Sequence, residues 1–277
     1  MTRVLTLCAD DFGLSPGVCS GIARLAHAQR LNAVSCLVNG PHWRDGAALL
    51  RAFPASVEAG LHFNLTEGVP LSGPLRRVWP RFPPLARLIA LAHLRWLPQA
   101  AIGAELAAQW ATFTEATGQA PAFIDGHQHV HHLPQVRDVM LAIVETTLQR
   151  PMVRNTARVL GPGHAIKRAL IAGTGGRVLQ RALAQRGIAH NSVLLGAYGF
   201  SATADYRALM QRWLARVPPA GALLFCHPGD ADSSGIVDAI AHARPREAAY
   251  LASDAFASDL AAAGVILGRF SETSKRG

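Results

Sequence analysis

The chain is short of acid, and that scarcity narrows its chemistry. Eighteen Asp and Glu stand against twenty-seven Lys and Arg, a formal charge of +9 over 277 residues, and almost all the cations are Arg. Such a balance fits a nucleic-acid or anionic-lipid partner, or simply a G+C-rich genome that favours Arg and Ala codons. The Arg residues are dispersed, with no dense basic stripe and no aromatic signature of RNA binding, so no nucleic-acid partner is expected. Cysteine is as sparse. Cys8, Cys19, Cys36 and Cys226 lie far apart, mostly within apolar runs. They show no C-x-x-C spacing and read as buried reduced thiols. No segment offers about 20 uninterrupted apolar residues, and the opening "MTRVLTLCADDFG" lacks an h-region with a cleavage site. A cytoplasmic protein is expected, with peripheral contact at the inner membrane surface left open.

Apolar residues are plentiful: they make up 50% of the chain, enough for a large core. Short apolar runs at 3–9, 33–40, 56–65, 122–129, 151–156, 190–196, 221–229 and 264–270 are strand candidates. Helical periodicity marks the stretches 16–30, 43–53, 98–118, 134–150, 164–186, 203–216 and 244–263, and Ser15-Pro16 gives an N-cap with Pro at the first helical position. Seven or eight β-then-α units predict an α/β fold, best fitted by a (β/α) barrel over 1–270, with a polar tail at 271–277 that is expected to fray. "GTGGR" at 173–177 lacks the Lys-Ser/Thr ending of a phosphate loop and reads as a helix interruption or turn. One segment, 70–102, is too long for a βα connection. It is Pro-rich, aromatic and dotted with Arg, and is placed as an insertion over the barrel mouth. Its run 85–97 reads as an ordinary core helix or, slightly behind that, as a surface for lipid or a greasy substrate.

In a parallel barrel the C-terminal ends of strands converge on the active site, and this chain's polar residues recur there. Asp10 and Asp11 end the first strand, His62 sits late in the third, and Asp125, His127 and His129 lie in "DGHQHVHH". Arg154 closes "MVRNT", and His227 closes "LLFCHPGD". Alone, each reads as a structural residue: a hydrogen-bonded His, a turn, a cap. Together, at five strand ends, they point to metal-assisted hydrolysis, in which a carboxylate and two imidazoles hold a borderline divalent ion and leave positions open. Residues 127, 129 and 131 would share one face of an extended strand, so only one or two could reach a single ion. Adjacent Asp10 and Asp11 would point apart unless the chain turns there. If it does, one can bind the ion and the other take the proton of the attacking water.

The stretches "CADDFGLSPGV", "GLHFNLTEGVPL", "FIDGHQHVHHLPQV" and "LLFCHPG", in this order across residues 8–229, resemble the YdjC-like carbohydrate deacetylases, the family that contains chitooligosaccharide deacetylase. The resemblance implies a distorted (β/α) barrel, one divalent metal ion, and removal of acetyl from an N-acetylated sugar. It makes Asp11, His62 and His127 the metal ligands, Asp10 the general base, His227 the acid that protonates the leaving amine, and Arg154 the group that orients Asp10. Asp125, His129 and Asn64 are expected to buttress the ligands or touch substrate. On ligand grounds the set suits Zn²⁺, while Mg²⁺ would prefer more oxygen. "WPRFPPLARLIALAHLRWLP", "VRNTARVLGPG" and "YGFSATADYRALMQRWL" resemble the hopanoid-biosynthesis branch of that family, which implies an N-acetylglucosaminyl hopanoid substrate. The lipid contacts would then be Trp79, Phe82, Leu88 and Trp96. The readings in competition are a deacetylase of soluble chitooligosaccharides, a barrel phosphoesterase or sugar isomerase, and a non-catalytic lipid-surface module. Nothing selects between a monomer and a homodimer.

Overall fold

The computed structural model describes residues 2–275. Eight parallel strands run in the order β6-β5-β4-β3-β2-β1-β8-β7. They are β1 (Arg3–Phe12), β2 (Ala33–Cys36), β3 (Glu58–Phe63), β4 (Phe123–Gly126), β5 (Met152–Val153), β6 (His190–Asn191), β7 (Leu194–Leu195) and β8 (Ala222–Cys226). Helices in the connections cover the outside, which is why β1 is buried continuously from Leu5 to Phe12 rather than at alternate residues. The expected strand at 190–196 is split. β6 pairs β5 through Val153↔His190, and β7 pairs β8. A bridge from Val159 to Leu194 narrows the remaining gap, so the barrel is nearly closed.

The last apolar run is not a barrel stave. As β9 (Val265–Leu267) it pairs with Arg3–Leu5. Leu5 also pairs Ala222 of β8, so β9 occupies the edge of β1 that β2 takes higher up. The segment expected to fray is packed as far as it is described. Phe270–Thr273 is a helical turn whose Thr273 hydroxyl lies 2.7 Å from that of Thr6, and β10 (Ser274–Lys275) runs antiparallel to β6. The last two residues of the tail lie outside the described residues.

Local signals explain the elements that carry the site. Ser15 caps the helix Pro16–His27, its hydroxyl accepting from the Val18 amide. The GTGG stretch interrupts a helical region, separating Ala165–Ile171 from Arg177–Gln185. A Cβ at Gly175 would sit 2.0 Å from the His132 carbonyl oxygen, so only glycine lets this break rest on the active-site turn. The insertion forms two helices, Gly73–Val78 and Leu85–His93. Its start is tied down by buried Glu105, whose carboxylate accepts the Leu71 and Ser72 amides at 3.0 and 2.7 Å. Among the described residues no helix is long and apolar enough to cross a membrane.

Candidate active site

The two adjacent acids face the barrel mouth because β1 bulges. Ala9 pairs Val34 while Phe12 pairs Cys36, so β1 carries one extra residue, and Asp11 takes φ 70°. A bulge re-aims side chains at a strand end, and Asp tolerates the left-handed region better than most residues. Both carboxylates consequently line one cavity of about 430 Å³.

Asp11 stands at the centre of a three-residue cluster. Its Oδ1 lies 3.4 Å from His62 Nε2 and 3.0 Å from His127 Nδ1. Each imidazole has its other nitrogen close to a second carboxylate. His62 Nδ1 is 2.6 Å from Asp125 Oδ1, which also accepts the Ser35 hydroxyl at 2.5 Å. His127 Nε2 is 3.1 Å from Glu67 Oε1. The Arg244 guanidinium donates to Asp11 Oδ2 at 2.7 Å and to Asp238 at 2.5 Å. Burial alone would raise the Asp11 carboxyl, but Arg244 and His127 hold it well below the usual carboxylate range. The imidazoles shift the other way. Burial would lower them, yet Asp125 and Asp10 raise His62 to about 10, and Asp11 raises His127 to about 9.

Asp10 lies on the other side of the bulge, gripped by Arg154. Nη1 donates to Oδ2 and Nη2 to Oδ1, each at 2.6 Å, and Nη2 is also 2.5 Å from Asp125 Oδ2. All three residues are buried. Asp125 therefore joins the two halves, holding His62 through one oxygen and Arg154 through the other. Burial opposes its ionisation, but Arg154 and His62 keep the carboxyl well below its usual range. His227, just beyond β8, packs edge-on against Phe200 and Phe225. Burial lowers its imidazole to about 4 against the upward pull of Asp11 and Asp10. Its Nδ1 has no hydrogen-bond partner among the described residues.

The histidine run departs from the extended strand expected of it. β4 ends at Gly126, and residues 127–132 form a 3₁₀ turn with Gln128 at φ 52° and His129 at φ 63°. A common face for 127, 129 and 131 does not arise. His127 stays in the cluster, and His129 lines the cavity beside Phe225. His131 turns back to the Arg154 carbonyl at 2.9 Å, and His132 bridges the Thr156 and Thr174 hydroxyls. Asn64 does not line the cavity. Its side-chain oxygen accepts the Thr66 and Glu67 amides at 2.9 and 3.1 Å, shaping the loop that delivers Glu67.

The residues assigned to lipid contact are also relocated. Trp79, Phe82 and Leu88 are buried in the main core, and the first insertion helix, Gly73–Val78, packs on the helix Gln99–Thr117 rather than arching freely. Trp96 is 71% exposed and is not part of the cavity wall. The insertion residues that line the cavity are Leu85 and Ile89. Glu67, Ser35 and Arg244 went unnoticed in the sequence. Glu67 follows directly on the "HFNLT" motif, so its proximity to His62 was a usable signal. Arg244 was one of many dispersed arginines, and Ser35 one small polar residue in an apolar strand.

The donor set fits a divalent cation. One carboxylate oxygen and two imidazole nitrogens lie within 4.8 Å of one another, and the far nitrogen of His62 is hydrogen-bonded to Asp125, the arrangement that fixes tautomer in metal sites. The surrounding carboxylates raise both imidazoles, to about 10 and about 9, so each ring is expected to carry a proton at pH 7 until a cation displaces it. Zn²⁺ binding at pH 7 is therefore expected to release about two protons. Isothermal titration in buffers of different ionisation enthalpy measures the number. The release should vanish as pH rises past 10, where the rings are already neutral.

Comparison with known proteins places this geometry in a family. The YdjC-like protein model matches residues 4–262. Chitooligosaccharide deacetylases of Escherichia fergusonii and Salmonella paratyphi B are each 37% identical over 143 residues, 49% of this chain and 53% of theirs. The chain thus spans about half the length of the curated relatives it matches. A crystal structure from Enterococcus faecalis V583, described provisionally as a cellobiose-phosphate cleavage protein, superimposes with a TM-score of 0.73 at 21% identity. It covers 99% of this chain and 100% of its own, and shows a common fold. With the family match running from the first strand to the last long helix, the chain belongs to the YdjC-like family.

Proposed function

We propose that this protein is a metal-dependent N-deacetylase of an acetylated amino sugar. The observation that carries the reading is the pairing of Asp11, His62 and His127 with a second carboxylate, Asp10, held apart from them by Arg154. Asp11, His62 and His127 would hold the ion, Zn²⁺ by donor type, and when bound it would polarise the acetamide carbonyl. Asp10 takes a proton from the attacking water. Arg154 fixes both Asp10 oxygens, so the carboxylate stays in one orientation as it does so. Burial, which lowers His227 to about 4, keeps its imidazole neutral until negative charge grows on the substrate, when it takes up a proton from solvent. That proton passes to the amine nitrogen as the C–N bond breaks, and the proton held by Asp10 returns to solvent, giving acetate and a free amino sugar.

The finer reading gives the sugar an apolar, hopanoid-type lipid tail and has the enzyme meet it at a membrane surface. Its support is the cavity wall beyond the polar cluster, where Leu85 and Ile89 of the insertion join Leu170, Ile171, Phe200 and Ile240. Exposed Trp96 and Leu94 follow the same insertion helix. A polycyclic tail needs such a surface, whereas a soluble oligosaccharide favours polar partners. Metal-loaded protein incubated with N-acetylglucosaminyl hopanoid and with diacetylchitobiose is expected to release acetate from both, faster from the lipid. Ile89→Asp should raise KM for the lipid substrate about tenfold, as expected for loss of one apolar contact and gain of a charge, and leave chitobiose nearly unchanged. Turnover of chitobiose alone would sink the lipid assignment, and no acetate from either would sink the deacetylase.

A further inference from the structure

The strongest unassigned feature is the first turn of the helix Arg244–Ala252, which reaches two groups on different strands. Arg244, 3% exposed, donates to Asp11 Oδ2 at the end of β1 and is itself held by Asp238. One turn later Glu247, completely buried, accepts the backbone N–H of His227 at 2.7 Å beyond β8. Its other oxygen accepts the Tyr198 hydroxyl at 2.5 Å. Residues three apart share a helix face, so one rigid element fixes the spacing between the Asp11 carboxylate and the His227 backbone.

We propose that Arg244 and Glu247 form a positioning clamp: Arg244 presents Asp11 to the cation through Oδ1 alone, and Glu247 sets the height of His227 above it. The proposal rests on the deacetylase reading for the roles of Asp11 and His227, but its geometry can be tested without turnover. Arg244 occupies Oδ2, leaving Oδ1 as the oxygen nearest both imidazoles. Charge alone makes the opposite prediction to the clamp. A guanidinium beside a cation site repels the cation, so removing it should tighten binding. If Arg244 instead holds the ligand in place, removing it should weaken binding, as loss of an outer partner of a metal ligand does.

Three variants of the full chain decide between them. Arg244→Gln and Arg244→Lys are each titrated with Zn²⁺ against a chelator, and Glu247→Gln is assayed on diacetylchitobiose. The clamp predicts about tenfold weaker Zn²⁺ binding in Arg244→Gln, with no rescue by Lys, which cannot span Asp11 and Asp238 together. Unchanged or tighter binding in Arg244→Gln, or full rescue by Lys, overturns it. For Glu247→Gln the expected result is a roughly tenfold lower kcat with KM and Zn²⁺ affinity within twofold, and faster hydrogen exchange at the His227 amide. An unprotected amide without a fall in kcat overturns the role of Glu247. If the wild-type protein releases no acetate, the deacetylase reading fails, while the Zn²⁺ titrations still decide the Arg244 half.

Discussion

Asp10→Asn is expected to retain the divalent ion and lose turnover, whereas Asp11→Asn loses the ion itself. The two residues are neighbours in sequence, yet the bulge gives them separate surroundings. Asp10 faces Arg154, with both oxygens engaged, and Asp11 faces two imidazoles and Arg244. Asparagine at 10 is nearly isosteric and keeps a hydrogen bond to the guanidinium, but it cannot take up the water's proton. Loss of a general base costs about 10²–10⁴-fold in kcat, with metal content unchanged. Asparagine at 11 removes the only carboxylate of the ligand set, and Zn²⁺ affinity should fall by more than the roughly 10–100-fold that follows loss of an outer partner. Metal analysis after dialysis and an acetate assay on each variant separate the outcomes. Equal metal loss in both would overturn the division of roles, and undiminished turnover in Asp10→Asn would overturn Asp10 as the general base.

How far the site could be read from the sequence follows the range of the interactions that build it. The barrel was legible because β-then-α alternation is a local pattern repeated along the chain, and Ser15-Pro16 marked a helix start by capping chemistry alone. The strand ends carrying Asp10, Asp11, His62, Arg154 and His227 were legible because apolar runs stop there on a polar group. The turn at 127–132 was not. Gln128 and His129 both adopt positive φ without a glycine to announce it, and the conformation is imposed by tertiary contacts of His131 and His132 with Arg154, Thr156 and Thr174. Arg244 and Asp11 are 233 residues apart, and no local pattern distinguishes that arginine from its many neighbours. The insertion misled for a related reason. Aromatic and apolar residues in a Pro-rich loop look like a surface for a ligand, but Trp79, Phe82 and Leu88 pack into the main core, leaving Leu85 and Ile89 to face the cavity.

Arg154→Met is expected to damage the fold itself, and its effect depends on Asp10. Arg154 is 0% exposed, and its guanidinium is paired with two buried carboxylates, Asp10 and Asp125. Removing one partner of a buried ion pair costs about 3–5 kcal/mol because the other charge is stranded. For a chain of this size that is a fall of about 10 °C in Tm. In the wild-type background Asp10→Asn is mildly destabilising, since the guanidinium then keeps only Asp125 as a charged partner. In the Arg154→Met background the same change removes a stranded charge and should raise Tm. The sign of one substitution thus reverses with the identity of residue 154, a coupling that thermal melts of the four proteins measure directly. Additive effects would mean that Arg154 and Asp10 do not stabilise one another across the barrel. The guanidinium would then be compensating Asp125 alone, and the orientation of the base would have to come from Cys8, whose sulfur lies 3.5 Å from Asp10 Oδ1.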